Sequence, residues 1–154
     1  MKRTVIQSIC LIPVMALGPA EYAAAAGDMT AQDPIEVEVQ LGNSEGALRF
    51  FPSDLELETG KLYKLVLHNP GSGVKHYFSS EGLSRSVFTR KAQVLGADGN
   101  TIAEIKGAIR EIEVYPGGTA EWWFVPLVTG KLNDLRCTIE GHAEAGMVGT
   151  IKIR

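Results

Sequence analysis

Cysteine is scarce in this sequence, with two residues, Cys10 and Cys137, among 154. Small exported domains that depend on disulfides contain several cysteine pairs, so this class of protein is excluded. Aromatic residues make up only 7% of the chain. The formal net charge of −3 lacks the basic excess of a nucleic-acid binder, and we expect no nucleic-acid partner.

The first 26 residues have the layout of a secretory signal peptide. Lys2 and Arg3 give a positive start, residues 4–20 are largely apolar, and residues 23–26 form an alanine run suited to cleavage. The apolar stretch is shorter than the ~20 residues of a membrane-spanning helix, so a retained anchor is the weaker interpretation. Cys10 precedes most of that stretch and lacks a small residue before it, which argues against a lipoprotein attachment site.

We therefore expect an exported, periplasmic protein formed by residues 27–154, with no stable membrane insertion once the signal is removed. One cysteine remains in it, so an internal disulfide is excluded. Cys137 is then a buried bystander, an intermolecular linker, a reactive thiol or a metal ligand.

Residues 27–154 are predicted to form one all-β domain. Sixteen of the 17 Gly and five of the seven Pro lie in this range, where they separate short segments rich in β-branched and aromatic residues. Residues 35–41 alternate apolar and polar side chains, which is typical of a half-buried strand. Further strands are expected at residues 47–51, 54–58, 62–68, 91–95, 101–106, 109–115, 120–125, 132–139 and 147–153. This spacing predicts a β-sandwich of about eight to ten strands, with one or two helical turns within residues 79–88.

The functional signal lies in residues 137–147, CTIEGHAEAGM. Cys137, His142 and Met147 are spaced five residues apart, and the intervening glycines let the backbone turn tightly. Thiolate, thioether and imidazole together select copper, and two His, one Cys and a weak axial Met define a blue-copper electron-transfer site. The second histidine has to come from elsewhere. His76, after the turn at residues 69–73, is favoured over His68, which lies within a predicted strand.

Each of these residues also has an ordinary interpretation when it is taken alone. A single buried Cys or Met usually packs in a core, and a lone His usually lies at the surface or in a hydrogen bond. Their joint spacing is what favours a metal site.

These residues resemble the cupredoxin family of small blue copper proteins, and the resemblance covers most of residues 27–154. It is carried by Phe51-Pro52, Leu55, Thr59-Gly60, residues 65–69 ahead of His76, and the Cys137, His142, Met147 loop. The resemblance implies a Greek-key β-sandwich with one copper per chain, cycling between Cu(I) and Cu(II) and held by His76, Cys137, His142 and Met147. Two features depart from the family pattern: Glu140 stands where many members have proline, and residues 79–98 are expected to form a flap over one side.

A metal with four protein ligands leaves no position for a substrate, so we expect an electron carrier and not an enzyme. The resemblance makes the ring edge of His142 the electron exit, toward a redox partner such as a cytochrome or a copper enzyme. We expect a monomer, and hydrogen bonds from Thr138 and Asn69 that support the site. A periplasmic copper-binding or copper-tolerance protein using the same mononuclear site remains the alternative. Multicopper and binuclear centres would need further Cys or His ligands.

Overall fold

The structure is a computed structural model that describes residues 28–71 and 73–154. The predicted signal peptide, residues 1–26, lies outside the described residues. Within them the chain forms eleven strands and one helix. These are β1 Ile35–Leu41, β2 Phe50–Phe51, β3 Asp54–Leu57, β4 Tyr63–His68, β5 His76–Ser79, α1 Glu81–Ser86, β6 Val87–Leu95, β7 Thr101–Ile105, β8 Glu111–Val114, β9 Thr119–Pro126, β10 Gly130–Arg136 and β11 Val148–Ile153.

The strands form two sheets that face each other across the hydrophobic core. One sheet has the order β2-β1-β4-β9-β6-β7, and the other has the order β3-β11-β10-β5-β8. The pairs β1 with β4 and β3 with β11 are parallel, and the other pairs are antiparallel. The predicted all-β sandwich is confirmed, with eleven strands in the described part of the chain in place of about eight to ten.

Alternating side chains place the core between the two sheets. In β4, Tyr63, Leu65 and Leu67 are buried, while the residues between them point outward and are half-buried. In β9, Trp122 and Phe124 are buried in the core. Each strand therefore contributes one apolar face to the sandwich, as the period-2 pattern predicted.

The predicted helical turns after His76 are present as α1. Ser80 accepts a hydrogen bond from Leu83 N at 3.1 Å and caps the helix, which contains a single buried side chain, Leu83. At six residues, α1 is too short to cross a bilayer, and no other helix occurs among residues 28–71 and 73–154.

The expected flap over residues 79–98 is wrong. After α1 the chain runs directly into β6, which is hydrogen-bonded between β9 and β7 in the larger sheet. The register between β6 and β9 shifts between Thr89 and Lys91. This irregularity interrupts the alternation of side chains, and for that reason the sequence predicts only residues 91–95 as a strand and not residues 87–90.

The strand expected over residues 47–51 is reduced to Phe50–Phe51. Asn43 Oδ1 accepts hydrogen bonds from Glu45 N at 3.0 Å and Ala47 N at 2.9 Å, and Gly42 N donates to Arg49 O at 2.8 Å. These bonds commit residues 42–49 to a closed turn at the end of β1, beside His76.

Candidate metal centre

Three of the predicted ligands converge at one end of the sandwich. His76 begins β5, Cys137 directly follows β10, and His142 lies in the loop between β10 and β11. One ligand atom from each of these residues lies within 4.8 Å of the others. Cys137 Sγ is 3.4 Å from His142 Nδ1, and the two imidazole ring centroids are 5.2 Å apart.

Backbone hydrogen bonds close residues 137–147 into a compact loop. Cys137 N donates to Met147 O at 3.0 Å, Met147 N donates to His142 O at 2.9 Å, and His142 N donates to Ile139 O at 3.1 Å. The reversals use Gly141 and Gly146, whose φ angles are +81° and +108°. Met147 is fully buried at the base of the loop, next to Cys137 and directly before β11.

His76 presents a buried nitrogen that needs a partner. Its Nδ1 is buried and has no hydrogen-bond partner in the structure, and the residue is 1% exposed. Burial, and secondarily the nearby His142, lower the pKa of His76 below its ordinary value of 6.5. This shift favours the neutral imidazole, which carries a lone pair on one ring nitrogen. Buried polar atoms rarely remain without a partner, so this nitrogen fits a metal ligand.

The burial and the hydrogen bond of Cys137 fit a thiolate metal ligand. The residue is 1% exposed, and its Sγ accepts a hydrogen bond from Tyr77 N at 3.4 Å. The thiolate is the form of cysteine that binds metals, and this backbone N–H can donate to it in the same position. Together with two imidazoles, the donor set is soft and matches copper better than the oxygen-preferring cations.

His68, the competing histidine, lies apart from this cluster. It is half-buried at the end of β4, and its Nδ1 is 3.0 Å from Thr119 Oγ1 on the neighbouring strand β9. The structure thus brings His76 to Cys137 and His142, and it gives His68 a role in cross-strand hydrogen bonding.

Asn69 supports the segment that leads to His76, in the region where the sequence suggested it. The residue is 1% exposed, and its Nδ2 donates to Val74 O at 2.9 Å and to Val114 O at 3.0 Å. Its Oδ1 accepts a hydrogen bond from Gly71 N at 3.1 Å. One amide side chain therefore fixes the turn before β5 and ties that turn to the end of β8.

Thr138 was expected to hydrogen-bond close to the metal ligands because it follows Cys137, but its observed partner lies on β8. Its Oγ1 donates to Glu111 Oε2 at 2.6 Å, so the hydroxyl holds the segment after β10 to strand β8. Sequence analysis missed both Glu111 and the Tyr77 N–H that reaches the sulfur. A backbone donor leaves no signal in a sequence, and the Glu111 contact depends on the order of strands in the sheet.

The surface beside His142 is formed by small and apolar residues. His142 is half-buried, Ala145 is exposed, and Val148 is 47% exposed. Glu144, also exposed, adds one negative charge. This end of the molecule therefore presents small and apolar side chains close to the cluster, where another protein could approach within a short distance.

Comparisons with known proteins agree with this geometry. No family model matches the chain. It is 27% identical over 138 residues to the major isoform of chloroplastic plastocyanin from Arabidopsis thaliana, a match that covers 88% of this chain and 70% of that one. It is 39% identical over 61 residues to chloroplastic plastocyanin from Fritillaria agrestis, covering 40% of this chain and only 35% of the plastocyanin sequence.

A solved structure extends the likeness to three dimensions. Auracyanin B superposes with a TM-score of 0.52 at 21% identity, over 80% of this chain and 91% of the auracyanin. At this identity the superposition establishes the arrangement of strands, and the assignment of an activity depends on the residues of the site.

Proposed function

Starting from the cupredoxin fold of this chain, we propose that it is an exported one-electron carrier with a single copper ion. Its ligands are His76, Cys137, His142 and Met147. The observation that carries the proposal is the convergence of two imidazoles and one thiolate, with ligand atoms within 4.8 Å, in a β-sandwich of this family. Copper in such a site takes up one electron as Cu(II) and releases it as Cu(I).

The strands and the loop of this chain fix the positions of the ligands. His76 is fixed by β5, and the three other ligands belong to a loop closed by its own backbone hydrogen bonds between β10 and β11. All of these strands belong to the same sheet. A preformed site of this kind has nearly the same geometry in both oxidation states, so electron transfer requires little rearrangement.

His142 is suited to pass the electron to and from a partner. It is the partly exposed member of the cluster, and it lies 3.4 Å from the Cys137 sulfur. The small residues around it allow close approach of a redox protein such as a cytochrome or a copper enzyme. Four protein ligands leave no position for a substrate, which supports a carrier over an enzyme.

Copper loading of purified protein tests the ligand set. We expect one copper per chain and intense visible absorption from thiolate-to-Cu(II) charge transfer. Cys137→Ser should abolish this absorption, and His76→Ala should weaken copper binding strongly. His68→Ala is the matched control, because it removes a histidine that lies outside the cluster. Retention of the absorption band by Cys137→Ser would refute the assignment.

Electron exchange separates a carrier from a copper-tolerance protein that uses the same ligands. A carrier mixed with a reduced cytochrome is expected to exchange electrons rapidly and keep its metal. A copper buffer would instead release copper to a chelator or an apoprotein acceptor faster than it exchanges electrons. Stopped-flow spectroscopy and copper analysis of the same mixtures distinguish the two outcomes.

Export to the periplasm is the remaining part of the proposal. It rests on the signal-like residues 1–26. Fractionation of cells that express the full chain, with N-terminal sequencing of the exported form, tests it. A full-length protein found only in the cytoplasm would contradict it.

A further inference from the structure

The two strands that lead to His76 and Cys137 share little backbone pairing. β5 and β10 are joined by one residue pair, Ser79 with Arg136. By contrast, β5 pairs with β8 over its whole length, and β10 pairs with β11 at both of its ends. The distance between the two ligand-bearing strands is therefore fixed largely by side chains.

Asp134, three residues before Cys137, bridges this weakly paired region. Its Oδ1 accepts a hydrogen bond from Ser80 Oγ at 2.8 Å, and its Oδ2 accepts one from Gly82 N at 2.7 Å. Ser80 follows β5 directly and is 2% exposed. Both oxygens of one carboxylate thus tie β10 to the end of β5 and the start of α1, through hydrogen bonds strengthened by charge.

Glu111 makes a comparable contact on the other side of the cysteine. In β8 it pairs with Ser79 of β5, and its side chain reaches across that strand to accept the hydrogen bond of Thr138 Oγ1 at 2.6 Å. Cys137 therefore lies between two attachment points, at Asp134 and at Thr138. Each attachment uses an acidic side chain in a place where backbone pairing is missing.

We propose that Asp134 and Glu111 are positioning residues of the metal site, which hold the Cys137 strand at its distance from the His76 strand. Neither residue belongs to the ligand set, and their effect passes through β10 and the segment that follows it. For its copper-dependent readouts this inference rests on the proposed function.

Loss of either attachment has a defined consequence for the thiol. Without it, β10 separates more readily from β5, and the Cys137 sulfur becomes accessible to reagents. A lost hydrogen bond to a charged group corresponds to about a tenfold change in such an opening equilibrium. In the copper-loaded protein, a less constrained sulfur would let the ligands adjust to Cu(II), which would lower the reduction potential.

The test compares wild type with Asp134→Ala, Glu111→Ala and the control Glu81→Gln. Glu81→Gln also removes one negative charge close to Asp134. The Glu81 side chain pairs with Arg85 and Arg110, so this variant leaves the attachments of β10 intact. In the metal-free protein, the rate of alkylation is measured on the peptide that contains Cys137. This separates it from alkylation of Cys10, which the full chain also contains. We expect alkylation about tenfold faster in both alanine variants and unchanged in Glu81→Gln.

The copper-loaded proteins provide the second readout. The alanine variants should show a lower reduction potential and a larger copper hyperfine splitting, while Glu81→Gln should match wild type. Glu111→Gln retains an acceptor for Thr138 and should restore both values. Asp134→Asn retains one of two acceptors, and should therefore fall between wild type and Asp134→Ala; it also replaces the alanine variant if that variant fails to fold.

The outcomes separate this inference from the proposed function. If the variants only lower the melting temperature, and alkylation rate, potential and hyperfine splitting all stay at wild-type values, then the positioning role is refuted. If the wild-type protein shows no thiolate-to-Cu(II) absorption, the proposed function fails. The alkylation rates of the metal-free protein then still decide whether Asp134 and Glu111 hold the Cys137 strand.

Discussion

Gly42 is the most informative position for testing how the fold shapes the site. It follows β1 with φ at +80°, and a Cβ added there would lie 3.0 Å from His76 Nε2 and 3.1 Å from Ala47 O. Gly46, in the same turn, has φ at +85°, and a Cβ there would meet no atom within 4 Å. The two alanine variants therefore share the backbone strain, and only Gly42→Ala crowds the imidazole.

The two substitutions are expected to differ in both stability and copper properties. Alanine at a left-handed φ costs roughly 1–2 kcal/mol, which is the expected loss in the free energy of unfolding for Gly46→Ala. Crowding against a packed ring and a backbone oxygen adds about 1–3 kcal/mol, so Gly42→Ala should lose roughly 2–5 kcal/mol. Displacement of His76 should also change the visible spectrum and reduction potential of copper-loaded Gly42→Ala, while Gly46→Ala keeps the wild-type values.

Urea unfolding of the metal-free proteins measures the stability difference, and spectroelectrochemistry of the loaded proteins measures the effect on the site. Equal loss of stability in the two variants, together with unchanged spectra and potential in Gly42→Ala, would refute the reasoning. It would mean that the His76 ring is not confined by the turn at residues 42–49.

Three further predictions concern other parts of the molecule. Gly149→Ala should destabilise by more than about 3 kcal/mol, because its Cβ would overlap the backbone oxygen of Ser53 on the neighbouring chain segment; urea unfolding close to that of wild type would contradict this. Trp122→Phe removes the hydrogen bond from Nε1 to Thr89 Oγ1 at 3.1 Å and should cost about 1–3 kcal/mol, with Thr89→Val as its partner-side comparison. Lys75 lies 2.6 Å from Glu113 Oε1, and its hydrogen bond, followed by that of Tyr77, lowers the pKa of Glu113 below its ordinary value of 4.5. The stabilisation is therefore present above that value and disappears as the pH falls through the folded-state pKa. NMR titration should find this pKa raised toward 4.5 in Lys75→Met, and an unchanged value would exclude the ion pair as the cause.

The parts of the fold that the sequence predicted are those with uninterrupted patterns. In β4 every second side chain is buried along the whole strand, and in β1 the alternation ends with Val39 and Leu41 buried. The metal loop was predictable because Cys137, His142 and Met147 lie close together in the chain and their chemistry is specific. The second histidine ligand was harder to predict. His76 was favoured because it follows a turn, whereas His68 lies within a predicted strand.

The features that the sequence did not predict depend on contacts between distant segments. Only residues 91–95 of β6 were predicted as a strand, because a register shift against β9 breaks the alternation near Arg90. The hydrogen bonds of Asp134 and Glu111 arise only when β8, β5 and β10 lie side by side, an order unrelated to their order in the chain. Charged residues such as these are indistinguishable in a sequence from ordinary surface residues.

The central claim is that one copper ion is bound by His76, Cys137, His142 and Met147. A crystal structure of the copper-loaded protein, with anomalous diffraction data collected at the copper edge, tests it most directly. We expect a single anomalous peak bounded by Nδ1 of His76, Sγ of Cys137, Nδ1 of His142 and Sδ of Met147. A peak at His68, or a copper position without the Cys137 sulfur as ligand, would contradict the account.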